Sequence, residues 1–326
     1  MLAIQKSLRF IQPGRHEPTL HTPPFGACPV APSTAIFPGP WFGNSGVEVF
    51  IDGTYDRARP APEYRAVSGG RAAQLPPGFA YPQAALWGLI TNAFFGVLRA
   101  AVLLSLFGAR PQVAGYTVQD ALTYTAMTQL LIAAFSLFGW SELMRTIHRG
   151  EVGTELLRPH HFLLFWTAQD AGRAAGQFVL RGVPILLIFA LLWPLSWPQG
   201  AGGWVLTAVS LLLAWACGFA FRFLVNCAAF WTPDAVGVGR FAWAVLGLSC
   251  GFLMPLAFFP GWLRDALAWT PFPSMLNTSV ELWLGVRSGP DAWTALATQL
   301  AWTAALFAAA EVTLRRGLRR LEVAGG

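Results

Sequence analysis

Trp204-Val-Leu-Thr-Ala-Val-Ser-Leu-Leu-Leu-Ala-Trp-Ala-Cys-Gly-Phe-Ala-Phe-Arg-Phe-Leu-Val-Asn-Cys-Ala-Ala-Phe230 is a run of 27 residues with one charge, Arg222. As an α-helix rising about 1.5 Å per residue it reaches about 40 Å, enough to cross roughly 30 Å of hydrocarbon. Five further runs of this kind flank it: Gln83–Phe107, Ala121–Trp140, Ala174–Trp193, Phe241–Phe259 and Trp293–Glu311. Lipid offers a backbone no hydrogen bonds, so spans are helices or closed barrels, and uninterrupted apolar runs exclude the alternation of barrel strands. The sequence therefore predicts an all-α integral membrane protein with six transmembrane helices. Composition agrees: 55% of the 326 residues are hydrophobic and 12% charged, more apolar surface than a water-soluble core hides.

Arginine placement predicts the orientation. The segment joining the second and third runs carries Arg145, Arg149, Arg158 and Arg173, and the C-terminal tail carries Arg315, Arg316, Arg319 and Arg320. The opposite connections hold Arg110, no arginine between Pro194 and Gly203, and then Arg264 and Arg287 diluted by Asp265, Glu281 and Asp291. Positive residues accumulate in the cytoplasm, so both termini are expected there. Trp193, Trp197, Trp204, Trp262, Trp269, Trp283 and Trp293 gather at the outer connections, where amphipathic rings favour the interface. The same bias explains the basic pI without a nucleic-acid partner.

Residues 1–78 read differently. Thirteen of the 24 prolines lie at or before Pro82, and no helical or strand period survives between them, the signature of a segment without a packed core. Met1–Gln12 lacks the long apolar centre of a secretory signal. Two origins are open: a real cytoplasmic extension, or a start assigned too early. The six-helix membrane domain is expected over 79–326.

Chemistry is constrained by absences. A P-loop needs the lysine of G-x-x-x-x-G-K-[ST], and the chain has one lysine, Lys6, preceded by Ala3-Ile-Gln. ATP and Mg²⁺ would therefore be held by another polypeptide. Cys28, Cys217, Cys227 and Cys250 form no C-x-x-C pair, and no metal site or cofactor is expected in the chain. Gly247-Leu-Ser-Cys-Gly251 matches the G-x-S-x-G nucleophile pattern, but it falls inside an apolar run, and all five histidines lie at or before His161. It reads as small residues at a helix contact. Arg99 and Arg222 lie within apolar runs, where a central arginine costs at least about 2.5 kcal/mol, so each should meet a partner, a cavity or an interface. Both lie toward run ends, and snorkelling is the expected solution, with a place on the substrate path as the alternative.

The polar island Ile147-His-Arg-Gly-Glu-Val-Gly-Thr-Glu-Leu-Leu-Arg-Pro159 interrupts this apolar chain. Helical spacing of Leu143, Ile147, Thr154 and Leu157, broken by Gly150 and Gly153 and stopped by Pro159, predicts a short stiff cytoplasmic element. An ordinary solvated loop is the alternative on these grounds alone. His160 and His161 beside it lack a nearby third ligand and read as interfacial.

Ile147-His-Arg-Gly-Glu151, Leu156-Leu-Arg-Pro159 and the aromatic stretch Phe162–Trp166 together resemble the permease subunits of ABC-2 type transporters, in particular the bacterial six-span branch with a separate ATPase. Three other stretches agree: Leu89–Arg99 followed by Gly115-Tyr116 and Tyr124; Ala229-Phe-Trp-Thr-Pro-Asp234; and Pro255-Leu-Ala-Phe-Phe-Pro-Gly-Trp-Leu263 running on to Pro271-Phe272 and Gly285. The similarity covers about residue 79 to the C-terminus. It implies a non-catalytic half-transporter in the bacterial inner membrane, an exporter paired with a second permease subunit, identical or not, and a cytoplasmic ABC ATPase. The island would be its coupling helix, with Ile147, Leu156 and Leu157 giving apolar contact, Arg149, Glu151 and Arg158 the charge register, and Gly150 and Pro159 the shape. Pro255, Pro260, Gly261, Trp262 and Pro271 would belong to a re-entrant outer segment between the fifth and sixth spans. A membrane channel or scaffold, or a secondary transporter, could use the same helices.

Overall fold

The computed structural model describes residues 82–108, 110–139, 141–156 and 161–320. The expected extension over 1–78 and the island residues Leu157, Arg158 and Pro159 lie outside them. Helices dominate. Helix α1 (Pro82–Phe107) leads into a two-residue hairpin, β1 (Gln112–Val113) against β2 (Tyr116–Thr117), turned at Ala114-Gly115 with left-handed φ at both residues. Helix α2 (Val118–Phe135) follows, started by a capping box in which Thr117 and Asp120 bond each other's backbone N–H. The island forms α3 (Glu142–His148) and α4 (Val152–Leu156). Helix α5 (Phe162–Gln177) passes through a π turn (Phe178–Gly182) into α6 (Val183–Leu192) without a break. Then come α7 (Gly200–Asn226), α8 (Ala235–Ser249), α9 (Gly261–Ala268), α10 (Asn277–Trp283) and α11 (Pro290–Leu318).

Four described helical stretches are long and apolar enough to cross a membrane: Leu86–Phe107, Phe162–Leu192, Gly200–Phe230 and Pro290–Leu318. They carry the first, third, fourth and sixth expected runs. The second run falls on α2, 18 residues long and buried over most of its length, with Thr123, Thr125, Thr128 and Gln129 inside the bundle. A helix wrapped by protein does not need the hydropathy of one facing lipid.

Two boundaries are corrected. The third span begins at Phe162 and not at Ala174, because Phe162, Leu163 and Trp166 are packed on α3 and α7 and the charges of Asp170 and Arg173 are paired inside the bundle. The fifth run, expected to span through Phe259, is helical only over Ala235–Ser249. Gly251 turns left-handed at φ 84°, and Pro255 lacks an N–H to continue a ladder. The chain then proceeds through a 3-10 turn at Leu256–Phe258, helix α9 and a second turn at Phe272–Met275 before α10.

That broken segment is fastened from α1 and α2. The Tyr124 hydroxyl lies 2.6 Å from the Gly251 carbonyl and 2.9 Å from Asn277 Oδ1, which also accepts from Leu256 N–H at 3.3 Å. At the hairpin end, Ser196 donates to Asp120 and Thr123 through its hydroxyl and N–H, and Trp283 Nε1 donates to the Ser196 carbonyl. Trp197, Trp204 and Trp283 cluster there with ring centroids 5.3–6.3 Å apart, Trp197 stacked on Trp204 and Trp283 edge-on to Trp204.

Candidate functional site

The island sits at the end of the bundle opposite the hairpin. Glu142 and the residues after it wind into α3 over a buried seat: Leu143, Met144, Ile147 and Val152 pack with Phe162, Phe219, Phe223, Ala235 and Leu314. Met144 N–H, unpartnered within a first helical turn, donates to Asn226 Oδ1 at 3.0 Å, while Asn226 Nδ2 donates to the Arg222 carbonyl at 2.7 Å. The end of α7 thus caps the start of α3.

The far end of α3 closes as a Schellman turn. Gly150 N–H donates to the Ile147 carbonyl at 3.0 Å and Glu151 N–H to the Thr146 carbonyl at 3.1 Å, with Gly150 at φ 72°. A side chain there would meet open space, so the requirement for glycine is backbone conformation alone. Helix α4 then leaves at an angle set by this turn.

Of the residues expected to form the docking surface, Arg149, Gly150, Glu151 and Leu156 are exposed on this one element, and Leu156 shows 41% of its surface. Arg149 and Glu151 approach to 3.9 Å, a solvent-facing pair that contributes little stability. Ile147 is corrected: at 6% exposure its apolar contact is with the bundle, where it anchors α3, and not with a partner. Glu142, Arg145 and His148 share the exposed side, and their i, i+3 spacing is the signal in the sequence that puts them on one helix face. His148 Nε2 lies 3.3 Å from the Thr232 carbonyl, and His161 lies 3.5 Å from Glu311.

One turn below the island lies a charge cluster. Arg222, fully buried, forks onto Asp170 with Nη2–Oδ2 at 3.0 Å and Nη1–Oδ1 at 3.3 Å; Trp215 Nε1 donates to the same carboxylate at 2.9 Å. Arg173 bonds Asp170 and the Ser136 hydroxyl. Snorkelling is therefore wrong for Arg222, which is neutralised in place. Arg173, counted as a loop charge, belongs to α5. Arg99 is likewise held internally, by Thr128, by the carbonyls of Phe252 and Leu253, and over the Phe252 ring at 4.3 Å.

The outer-segment residues gather at the other side of the fold. Pro255 is buried at the break after α8, Pro260 and Gly261 open α9, and Pro271 precedes the second turn. Trp262 and Trp269, seven residues apart and so on one face of a helical path, expose 73% and 84% of their surface. Ser249 of the G-x-S-x-G pattern is the last residue of α8. Among the described residues no group of three or more His, Cys, Asp or Glu could hold a metal ion.

A long-helix bundle with a short capped element at one end and a broken segment toward the other fits a transport protein. The family described as ABC-2 family transporter protein matches residues 95–325, more than two thirds of the chain. The chain belongs to the ABC-2 transporter family. No curated protein and no solved structure matches it. The family match makes this a membrane transport component with several transmembrane helices, and it spans the island, the Asp170 cluster and the broken segment alike.

Proposed function

We propose that this ABC-2 family protein is the permease subunit of an ATP-binding cassette exporter in the bacterial inner membrane. Six spans, with α2 and α8 added to the four long ones, would place both termini and the α3–α4 island in the cytoplasm. A separate ATPase binding ATP and Mg²⁺ would dock on the island, and a second permease subunit would complete the path. The broken segment from Pro255 to Pro271 would form the re-entrant cap on the outer side, its backbone covered by α1, α2 and α10.

The observation that carries this reading is the construction of the island. Its inner face is locked into the bundle by Leu143, Met144, Ile147 and the Asn226 cap, while its outer face presents Arg145, Arg149, Glu151 and Leu156. A stiff element joined to helix ends transmits a partner's closure as helix displacement, whereas a solvated loop would absorb it.

The test is co-expression with an ABC ATPase, sought first among the neighbouring genes, and isolation of the complex. Gly150→Val forces a β-branched side chain into left-handed backbone, costing about 1–2 kcal/mol locally, and Glu151→Lys reverses an exposed charge. Both variants should insert normally, lose most of the ATPase in pull-down and transport poorly. Normal transport by correctly inserted variants would refute the coupling role, and ATP hydrolysis by the purified chain alone would refute the permease reading.

A further inference from the structure

Beside the island, the ends of α7 and α11 are locked together. Gly317 of α11 has no side chain, and the ring of Phe230, last residue of the Gly200–Phe230 span, fills the space a Cβ there would take. Both helices therefore stop at one level, with Trp231 next to the end of α11. The Arg320 guanidinium lies 6.0 Å from the Trp231 ring centroid, and Trp231 still exposes 42% of its surface. Arg320 is held there by a turn, its N–H donating to the Gly317 carbonyl at 2.9 Å. Arg316 stands one helical turn earlier on the same flank, and Arg319 completes an exposed trio.

The fold does not balance these charges. Glu311, the carboxylate nearest on α11, is engaged by Arg315 at 2.7 Å and His161 at 3.5 Å. Asp234, on the turn after Trp231, caps the Gly237 N–H at 3.1 Å. Among the described residues no carboxylate pairs with Arg316, Arg319 or Arg320. Their depth limits which anion meets them. Trp293, 66% exposed, marks the interface at the opposite end of α11. From there to Arg316 a helix rises about 35 Å, past roughly 30 Å of hydrocarbon but short of the roughly 40 Å that includes the headgroups. The trio thus lies in the headgroup layer, level with lipid phosphates. A tryptophan beside arginines suits that layer, since the ring rests at the headgroup level while each guanidinium reaches for phosphate. An acidic protein would have to displace headgroups to reach the same side chains.

We propose that Arg316, Arg319 and Arg320, with Trp231, bind the headgroups of anionic phospholipids and so fasten the joined ends of α7 and α11 to the bilayer surface. This goes beyond the exporter reading and rests only on the chain's membrane insertion. It holds whichever end is cytoplasmic, and whether or not an ATPase docks on the island.

The test uses the full chain purified in neutral detergent, with short-chain phosphatidylglycerol, matched phosphatidylcholine and inorganic phosphate as probes. Bound molecules are counted by native mass spectrometry, and melting temperature is followed in parallel. Wild type should prefer phosphatidylglycerol to phosphatidylcholine. Each arginine facing anionic headgroups is worth about fivefold in binding, so Arg316→Gln combined with Arg320→Gln should lose about twentyfold of that preference. Both side chains are exposed, so melting without lipid should stay at the wild-type value. Arg110→Gln combined with Arg264→Gln removes the same charge from the hairpin region and α9, and should keep most of the preference. Equal loss in the two double variants would mean that net charge alone attracts the lipid, and would overturn the site. Undiminished preference in the first double variant would also overturn it, and loss of a co-expressed ATPase by that variant would give the surface to a protein partner. Arginine-dependent binding of inorganic phosphate that displaces phosphatidylglycerol would overturn the lipid assignment.

Discussion

Asp170 balances two arginines, and its removal should be felt at once. A buried pair broken from one side leaves a charge without compensation, which costs about 3–5 kcal/mol, whereas replacing both members by apolar groups is often tolerated. Asp170→Asn should therefore lower thermal stability in detergent far more than the double change Asp170→Leu with Arg222→Leu, because Arg173 is partly exposed and can turn outward. A double variant less stable than Asp170→Asn would show that the pair contributes net stability. Arg222 stood out in the sequence as a charge inside an apolar run; its partner did not. Asp170 precedes the point where hydropathy rises, so a reading by apolar windows assigns it, with Arg173, to a loop. Only the helix start at Phe162 brings it about two turns inside the bundle.

At the scale of elements, the island shows how far local signals reach. Gly150 before a polar residue marks a helix end on sequence grounds, and the left-handed turn bears this out. The seat beneath it was not readable, since Met144 and Asn226 are 82 residues apart and meet only through tertiary packing. Ile147 shows the same limit: an apolar residue at helical spacing says that one face is buried, not whether the bundle or a partner buries it. The Asn226 cap makes a separate prediction. Asn226→Ala should cost about 1 kcal/mol, the usual value of a lost helix cap, and accelerate hydrogen exchange at Met144 and its neighbours in α3 more than in mid-α7. Uniform acceleration along α7 would mean that Asn226 stabilises its own helix instead. The π turn belongs to this scale too, because Phe178–Gly182 reads as ordinary apolar helix; the extra residue per turn is decided by packing on α2.

The whole molecule is held by polar contacts between parts that sequence reading treats as independent. Apolar runs set the rough position of the long helices, and the four described ones long enough to cross a membrane were legible; the break after Ser249 was not, because Cys250–Phe259 is as apolar as a span. What diverts it is Tyr124, on a helix more than a hundred residues earlier, whose hydroxyl bridges the Gly251 carbonyl and Asn277. Tyr124→Phe removes that hydroxyl and leaves a buried carbonyl short of a partner, a cost of about 1–3 kcal/mol. The loss should fall on the broken segment first, since α1 and α7 keep their apolar contacts. Cys250 lies at the break and is buried, as are Cys217 and Cys227 on α7 and its end, which gives an internal control. With about tenfold more opening for each 1.4 kcal/mol, maleimide labelling of Cys250 in Tyr124→Phe should rise about tenfold, while Cys217 and Cys227 keep their wild-type rates. Equal acceleration at all three thiols would mean that the hydroxyl supports the entire bundle, and that the segment between Gly251 and Asn277 cannot move as a separate cap.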